Sequence, residues 1–400
     1  MAKMLPLCLH GGFACDYVMM KCPMETVTIA VAPRPYEAVI EDGLLDRAGA
    51  RLRDLGVARA PSPANRQSQQ VFVITVPQVR RRWGKKLLSS LAAAQFNAQV
   101  IEMRDGEPHK KLATVEALAE KMLRLGADRD AMIIAFGGGV VGDTAGLLAS
   151  LYMRGVDLVQ IPTTVLAQVD ASIGGKTGVN LRGGKNLLGT FHQPRAVLID
   201  PSVLGTLPER EFRAGLHESL KCGVIGNPEL FEFLEKADVK QLRRDREKIE
   251  WVIAQSVKLK AKVVSSDERE GGLRRVLNFG HTIGHALEAE TNYRHFLHGE
   301  AVAWGMIAAA HIAEIVGRID QRDATRIRSA VLNLGPLPKV DVRSRSVLRL
   351  ILTDKKTRGG VVHFVLPKTI GNVEVANDVP GEVICGAVEE LRRLSSRMAT

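Results

Sequence analysis

Two hydrophobic periods divide the chain near Leu207. Before that point, short β-branched runs recur: TVTIAV (Thr26–Val31), QVFVITV (Gln70–Val76), AQVIEM (Ala98–Met103), AMIIAF (Ala131–Phe136), LVQIP (Leu158–Pro162) and AVLID (Ala196–Asp200). Between them lie stretches with apolar positions three and four apart, such as VEALAEKMLRLGA (Val115–Ala127). Strands alternating with amphipathic helices predict a parallel α/β sheet. After Leu207 the helical period dominates, in Pro208–Lys221, Glu250–Val264 and Glu300–Val316, and only VVHFVLP (Val361–Pro367) reads as a clear strand. The expected architecture is an α/β, Rossmann-like but non-standard nucleotide-binding domain over residues 24–207, followed by a mostly α-helical domain over residues 208–400. Sites in such proteins lie in the cleft between the two parts.

The first twenty-three residues carry no such pattern. They hold Cys8, Cys15 and Cys22 but lack the unbroken apolar core and small-residue cleavage site of a signal peptide. They are expected to form an extension outside the fold, as a misassigned start codon before Met24 would produce. The longest apolar stretch, Ala301–Gly317, contains His311 and Glu314, so it is expected to be a buried helix and not a membrane span. The polar stretch SPANRQSQQ (Ser62–Gln70) is expected to be a loop.

Composition narrows the partners. A chain of 400 residues that is 46% hydrophobic has material for a sizeable core and for two domains. A net charge of +11 favours an anionic partner, but with only 4% aromatic residues there is little for nucleobases to stack on. The runs Arg80–Lys86 (RRRWGKK) and Arg243–Lys248 (RRDREK) therefore read as solvated faces, and a small anionic substrate is favoured over nucleic acid. The five cysteines form no CxxC pair, and their odd number fits a reducing, cytoplasmic setting.

Three short segments carry candidate chemistry. AMIIAF runs into GGGVVGD, where Gly137, Gly139 and Gly142 match the spacing that lets a backbone approach a pyrophosphate at a helix N-terminus. The acidic residue expected at the end of the next strand is missing, because Asp157 precedes LVQIP, so a dinucleotide would not bind in the standard Rossmann manner. SIGGKTG (Ser172–Gly178) is no P-loop, since Asp170 stands where its first glycine belongs. It remains a glycine-rich loop after the strand end IPTT, carrying Lys176 and Lys185 toward an anion or forming a plain surface hairpin. In NFGHTIGHALEAETNYRHFLHGE, His281 and His285 fall four apart on one helix face and His298 follows a loop. That arrangement suits a zinc site or a polar helix face. Thr282 occupies the place of the zincin glutamate, which argues against a zinc peptidase.

In order, the segments GEPHK, GGGVVGD, YMRG, IPTTVLAQVDASIGGKTGVN, GGKNLLGTFHQP, LPERE, AGLHESLK, DEREGGLRRVLNFGHTIGHALE, LHGEAVA and DKK resemble the 3-dehydroquinate synthase family from about Met24 to the last helix. That family is similar in fold to iron-type alcohol and glycerol dehydrogenases. The resemblance implies conversion of 3-deoxy-D-arabino-heptulosonate 7-phosphate to 3-dehydroquinate in the shikimate pathway, with NAD and a divalent metal, zinc or cobalt. It implies hydride transfer to NAD⁺, β-elimination of phosphate, reduction by the same NADH and an intramolecular aldol closure. Another sugar phosphate cyclase or a metal-dependent polyol dehydrogenase is the alternative, and Asn278 with Lys355 and Lys356 favours dehydroquinate.

By the same resemblance the metal ligands are Glu218, His281 and His298, which leaves His285 for chemistry or substrate contact. NAD would meet Asp105, Gly106, Glu107, Lys110, Gly139, Val140, Val141, Gly142, Asp143, Thr163, Thr164, Lys176, Lys185, Val203, Leu204, Gly205 and Thr206. The family's Asp or Asn for the adenosine ribose is replaced here by Val76, Pro77 and Gln78. The phosphorylated sugar-acid substrate would meet Arg154, Asp170, Lys176, Asn186, Lys221, Lys260, Glu270, Arg274, Asn278, His285, Lys355 and Lys356. A homodimer acting without nucleic acid or membrane is the implied assembly.

Overall fold

A computed structural model describes residues 24–57, 69–357 and 362–398. The expectations for the N-terminal extension and for most of the loop before Gln69 lie outside these residues. Eleven strands run in chain order: β1 Glu25–Ile29, β2 Tyr36–Ile40, β3 Gln70–Thr75, β4 Asn97–Glu102, β5 Met132–Gly137, β6 Asp157–Pro162, β7 Lys176–Leu181, β8 Gly184–Phe191, β9 Ala196–Ile199, β10 Phe364–Thr369 and β11 Asn372–Ala376. Seven make one sheet in the order β1-β2-β9-β6-β5-β3-β4. The β1·β2 pair is antiparallel and every other pair in the sheet is parallel.

Burial explains the pattern. All positions of β5 and β9 are buried, as expected for parallel strands covered on both faces, whose sequences read as continuous apolar runs. Helices Leu112–Arg124 and Gly139–Leu151 follow β4 and β5 in the chain. All six strand runs of the first half are strands. Strand β2, which lies between the antiparallel edge strand β1 and β9, and the β7–β8 hairpin had no sequence signal of comparable strength, because YEAVI is short and β8 is largely exposed. The chain reverses direction along the sheet between β3 and β5, and crevices at such switch points take ligands outside the carboxyl ends of the strands.

The second half is helical, as its period indicates: Glu209–Gly226, Arg246–Ser266, His281–Glu290, His298–Ile315, Gln321–Asn333 and Gly381–Arg397 are the longer helices described throughout. β10 and β11 add one small hairpin. Helix His298–Ile315 is buried over most of its length, and its Trp304 donates its indole N–H to Pro338 O at 2.9 Å. Its first turn is pinned by Glu300, whose Oε2 accepts from Leu297 N at 2.8 Å and which also takes the Arg210 guanidinium at 2.6 and 2.7 Å.

Three glycines let the histidine helices touch. A Cβ on Gly305 would lie 1.8 Å from Gly280 O, one on Gly299 would lie 1.8 Å from Ala214 O, and one on Gly284 would lie 2.9 Å from Ala301 O. Those contacts bring helix Glu209–Gly226, helix His281–Glu290 and helix His298–Ile315 against one another, backbone to backbone. Gly280 caps the middle helix at φ 79°, a left-handed conformation that glycine adopts freely.

Gly305→Val is therefore expected to cost about 1–3 kcal/mol through overpacking and to lower the melting temperature. An unchanged calorimetric transition would contradict this packing.

Candidate active site

The three histidines converge. One nitrogen from each of His281, His285 and His298 lies within 4.8 Å of the others. Ring centroids are 5.1 Å apart for His281 and His285 and 5.3 Å apart for His281 and His298. From the neighbouring helix, Glu218 points into this cluster. Its Oε1 is 3.9 Å from His281 Nε2 and 3.7 Å from His298 Nε2. The Glu218 residue is 0% exposed, and neither carboxylate oxygen has a hydrogen-bond partner among the described residues. Oε2 does meet the Lys221 ammonium as an ion pair one turn on.

Both flanking imidazoles are oriented. His281 Nδ1 is 3.1 Å from Phe279 O, and a carbonyl only accepts, so Nδ1 carries the proton and Nε2 keeps its lone pair. Burial first, then Lys221 and the two neighbouring histidines, push the His281 pKa well below the ordinary imidazole value. A neutral imidazole is the form that binds a metal. A buried carboxylate oxygen without a hydrogen-bond partner, facing Nε2 of His281 and of His298, fits a divalent cation of the zinc type. His285, one turn on from His281, is exposed.

Asp170 joins a second set of charges to the first. Lys260 Nζ donates to Asp170 Oδ1 at 2.6 Å, and Lys221 Nζ lies 4.0 Å from the same oxygen. Burial raises the Asp170 pKa, but the opposing fields of Lys260 and then Lys221 outweigh it and hold the carboxyl well below its usual range. Burial depresses the Lys260 pKa, and Asp170 only partly restores it. Nearby, Glu270 takes Lys176 Nζ at 2.6 Å and Asn278 Nδ2 at 2.7 Å. Arg274 is only 1% exposed and donates to Gly174 O at 3.0 Å and to Glu268 O. It braces the glycine loop, and a Cβ on Gly174 would lie 2.4 Å from its Nη2.

The glycine run sits where the sequence expectation puts it, at the end of β5. Gly138 is the N-cap of helix Gly139–Leu151, and no side chain caps that helix. Its first N–H groups are thus open to an anion, which the helix dipole also favours. Gly139 leaves room, since a Cβ there would only touch Ala171 Cβ at 3.5 Å. Thr163 N donates to Gly137 O at 2.9 Å and braces this turn, while Thr164 Oγ1 accepts from Ala167 N at 3.2 Å in the segment that follows β6. Asp143, on the same helix, pairs with Lys110, whose ammonium also reaches Asn186 Oδ1. Burial raises the Asp143 pKa against the lowering field of Lys110. Asn180 Nδ2 donates to Glu107 Oε1 at 2.8 Å, which ties β7 to the turn holding Glu107 and Lys110.

Beyond the ends of β3 and β4 lies a cleft of about 560 Å³ lined by Pro77, Gln78, Arg81, Glu102, Met103, Arg104, Asp105 and His109. Gln78, the last of the three residues that replace the family's ribose contact, donates its amide to Asp105 there. The segment Val203–Thr206 forms a 3-10 turn whose Thr206 accepts from Trp83 Nε1 at 3.1 Å and from Arg82. Asp157 stands at the opposite, N-terminal end of β6, paired with Arg195 at 3.0 Å. Arg154 is exposed after helix Gly139–Leu151, and among the described residues it has no hydrogen bond or ion pair to the other named residues. Lys355 and Lys356 lie in helix Ser344–Thr357, and their side chains are outside the described set. Lys185 turns to Glu288 at 2.8 Å, a buried carboxylate that also meets His298 Nδ1 at 3.2 Å. Glu288 closes the segment DEREGGLRRVLNFGHTIGHALE, and the resemblance implies no role for it. Its signal was the heptad spacing from His281, which puts both on one helix face.

Among solved structures, this architecture and site define a class. The chain aligns to 2-epi-5-epi-valiolone synthase from Streptomyces hygroscopicus, solved with NAD⁺ and Zn²⁺, at 32% identity and TM-score 0.79, covering 91% of this chain and 99% of that one. It aligns to 2-deoxy-scyllo-inosose synthase complexed with carbaglucose-6-phosphate, NAD⁺ and Co²⁺, at 27% identity and TM-score 0.77, covering 92% and 99%. An iron-containing alcohol dehydrogenase at 15% identity and TM-score 0.65 shares the fold. The class is thus that of sugar phosphate cyclases. Within it, residues 100–214 match the family model described as 3-dehydroquinate synthase N-terminal, and residues 215–357 match the C-terminal one. The 3-dehydroquinate synthase of Koribacter versatilis is 52% identical over 372 residues, covering 93% of this chain and 99% of that protein. That of Solibacter usitatus is 46% identical over 366 residues, covering 91% and 99%. The chain belongs to the 3-dehydroquinate synthase family.

The Asp170 pairing sets a pH dependence. A carboxyl held below its ordinary range in the folded state adds stability above its unfolded pKa of about 3.9, and that stability is lost as pH falls from there toward the folded value. The melting temperature of the unaltered protein is expected to fall more steeply below about pH 4 than that of Asp170→Asn. Parallel melting curves between neutral and acid pH would contradict the pairing.

Proposed function

We propose that the chain converts 3-deoxy-D-arabino-heptulosonate 7-phosphate to 3-dehydroquinate and phosphate, with NAD and a divalent cation, zinc or cobalt. The observation that carries this reading is Lys221, whose ammonium lies 4.0 Å from Asp170 Oδ1 and forms an ion pair with Glu218. It joins the cation-type cluster to a set of lysines suited to an anionic substrate. A polyol dehydrogenase shares the fold but has no use for that set. The identity to 3-dehydroquinate synthases, at 52% and 46%, favours dehydroquinate over the valiolone and inosose products of the more distant structures.

Glu218, His281 and His298 would hold the cation, with His285 left at the exposed edge to meet substrate. Gly139, Val140, Val141 and Gly142 would offer backbone N–H groups to the NAD pyrophosphate, and Asp143 with Lys110 would face the nicotinamide side. When bound, the cation polarises substrate hydroxyls and the nicotinamide accepts and returns a hydride. The residues of the chain do the rest by position and charge. Lys176, Lys260 and Lys221 present ammonium groups to the phosphate and carboxylate, and Asp170 and Glu270 hold those lysines in place. Asn186 and Asn278 offer amides beside them, and Arg274 shapes the loop. Arg154, Lys355 and Lys356 complete the substrate set in this reading. The reading also takes residues 24–207 as the nucleotide half and 208–400 as the cation and substrate half, in a cytoplasmic homodimer. Among the described residues no helix is long and apolar enough to cross a membrane.

Two tests separate the alternatives. Oxidation at one step and reduction at a later one cancel, so phosphate release over many turnovers is expected with a flat NADH absorbance; stoichiometric NADH would indicate a dehydrogenase. Glu218→Gln is expected to lose both zinc and activity, whereas His285→Ala is expected to lose activity and keep most of its zinc. Equal metal loss in the two variants would overturn the ligand assignment.

A further inference from the structure

We propose that Glu288 is a positioning residue for the cation centre, fixing His298 with Nε2 toward Glu218 and tying that histidine through Lys185 to the β7–β8 hairpin. The inference rests on the ligand set proposed above. Glu288 lies two turns after His281 on the same helix, 1% exposed. A carboxylate so buried is costly unless charged partners surround it. It has one charged partner and one imidazole donor, each from a different element: Lys185 Nζ at 2.8 Å and His298 Nδ1 at 3.2 Å.

A carboxylate only accepts, so His298 Nδ1 carries a proton and Nε2 is the nitrogen left to meet a cation. That is the side on which Glu218 Oε1 lies, 3.7 Å away. His281 is oriented the same way by a backbone carbonyl, Phe279 O, at 3.1 Å. No substitution removes that carbonyl, but the one holding His298 is a side chain. Carboxylate partners of this kind fix the tautomer and raise the basicity of a ligating imidazole.

Lys185 gives the arrangement reach. Its ammonium stacks 4.8 Å from the Tyr293 ring centroid and lies 3.8 Å from Glu107 Oε1. The hairpin and the turn that precedes helix Leu112–Arg124 are thereby linked to a cation ligand through a single carboxylate.

The test is zinc retention by the purified full chain against a competing chelator, with metal counted by elemental analysis. Glu288→Gln keeps the shape and removes the charge. It is expected to weaken zinc binding roughly 10–100-fold with its metal-free melting curve little changed. Lys185→Met, which leaves the His298 contact in place, is expected to weaken it less. Zinc held by Glu288→Gln as tightly as by the unaltered protein would overturn the inference while leaving the ligand set standing. An unaltered protein that binds no stoichiometric zinc would overturn the ligand set, and this inference with it. A purely structural role would lower the melting temperature of metal-free Glu288→Gln without changing zinc retention. Nitrogen-15 spectra of the zinc-loaded unaltered protein give an answer independent of any variant's folding. Protonation at His298 Nδ1 is the expected result, and protonation at Nε2 would overturn the proposal.

Discussion

Glu218 is carried into the interior of the helical half with one carboxylate oxygen facing two imidazole nitrogens and the other facing Lys221. Removing a charge from water this completely is affordable only with compensating charge, and a single ammonium does not serve both oxygens. The glycine contacts at positions 299, 305 and 284 set the distance between the three helices that bear Glu218, His281 and His298. Across those contacts the Glu218 carboxylate faces His281 and His298. The packing and the chemistry of the site are thus one constraint.

From that point charge spreads outward in an ordered way. Lys221 is shared between Glu218 and Asp170, Asp170 is shared between Lys221 and Lys260, and Glu288 is shared between His298 and Lys185. Lysines suit this sharing because their point charge can serve more than one partner, unlike the planar fork of arginine. Among the described residues the one buried arginine, Arg274, donates to backbone carbonyls of the glycine loop and of Glu268. Its role in the free protein is to brace that loop.

Periodicity alone was enough to read the parallel strands β3, β4, β5, β6 and β9 and the long helices, because their apolar positions are mostly buried, although in the edge strand β4 only Ile101 is fully so. It did not reveal β2, whose parallel partner β9 is distant in sequence, and the local hairpin β7–β8 came only as the alternative for its glycine-rich loop. His281 and His285 were legible as a pair from their spacing, but the approach of Glu218, some sixty residues earlier in the chain, came only from family resemblance. Glu288 escaped both routes. A glutamate at the end of a helix reads as a solvent charge until the fold buries it. The departure at Val76–Gln78 was visible in sequence, whereas the amide contact from Gln78 to Asp105 required the fold of β3 against β4.

The most direct measurement is anomalous diffraction at the zinc absorption edge from crystals of the zinc-loaded protein. A single strong peak bonded to one oxygen of Glu218 and to Nε2 of both His281 and His298, with His285 unbonded to it, is the result this account predicts. A peak held by the three histidines with Glu218 still paired only to Lys221, or no peak in that cluster, would contradict it.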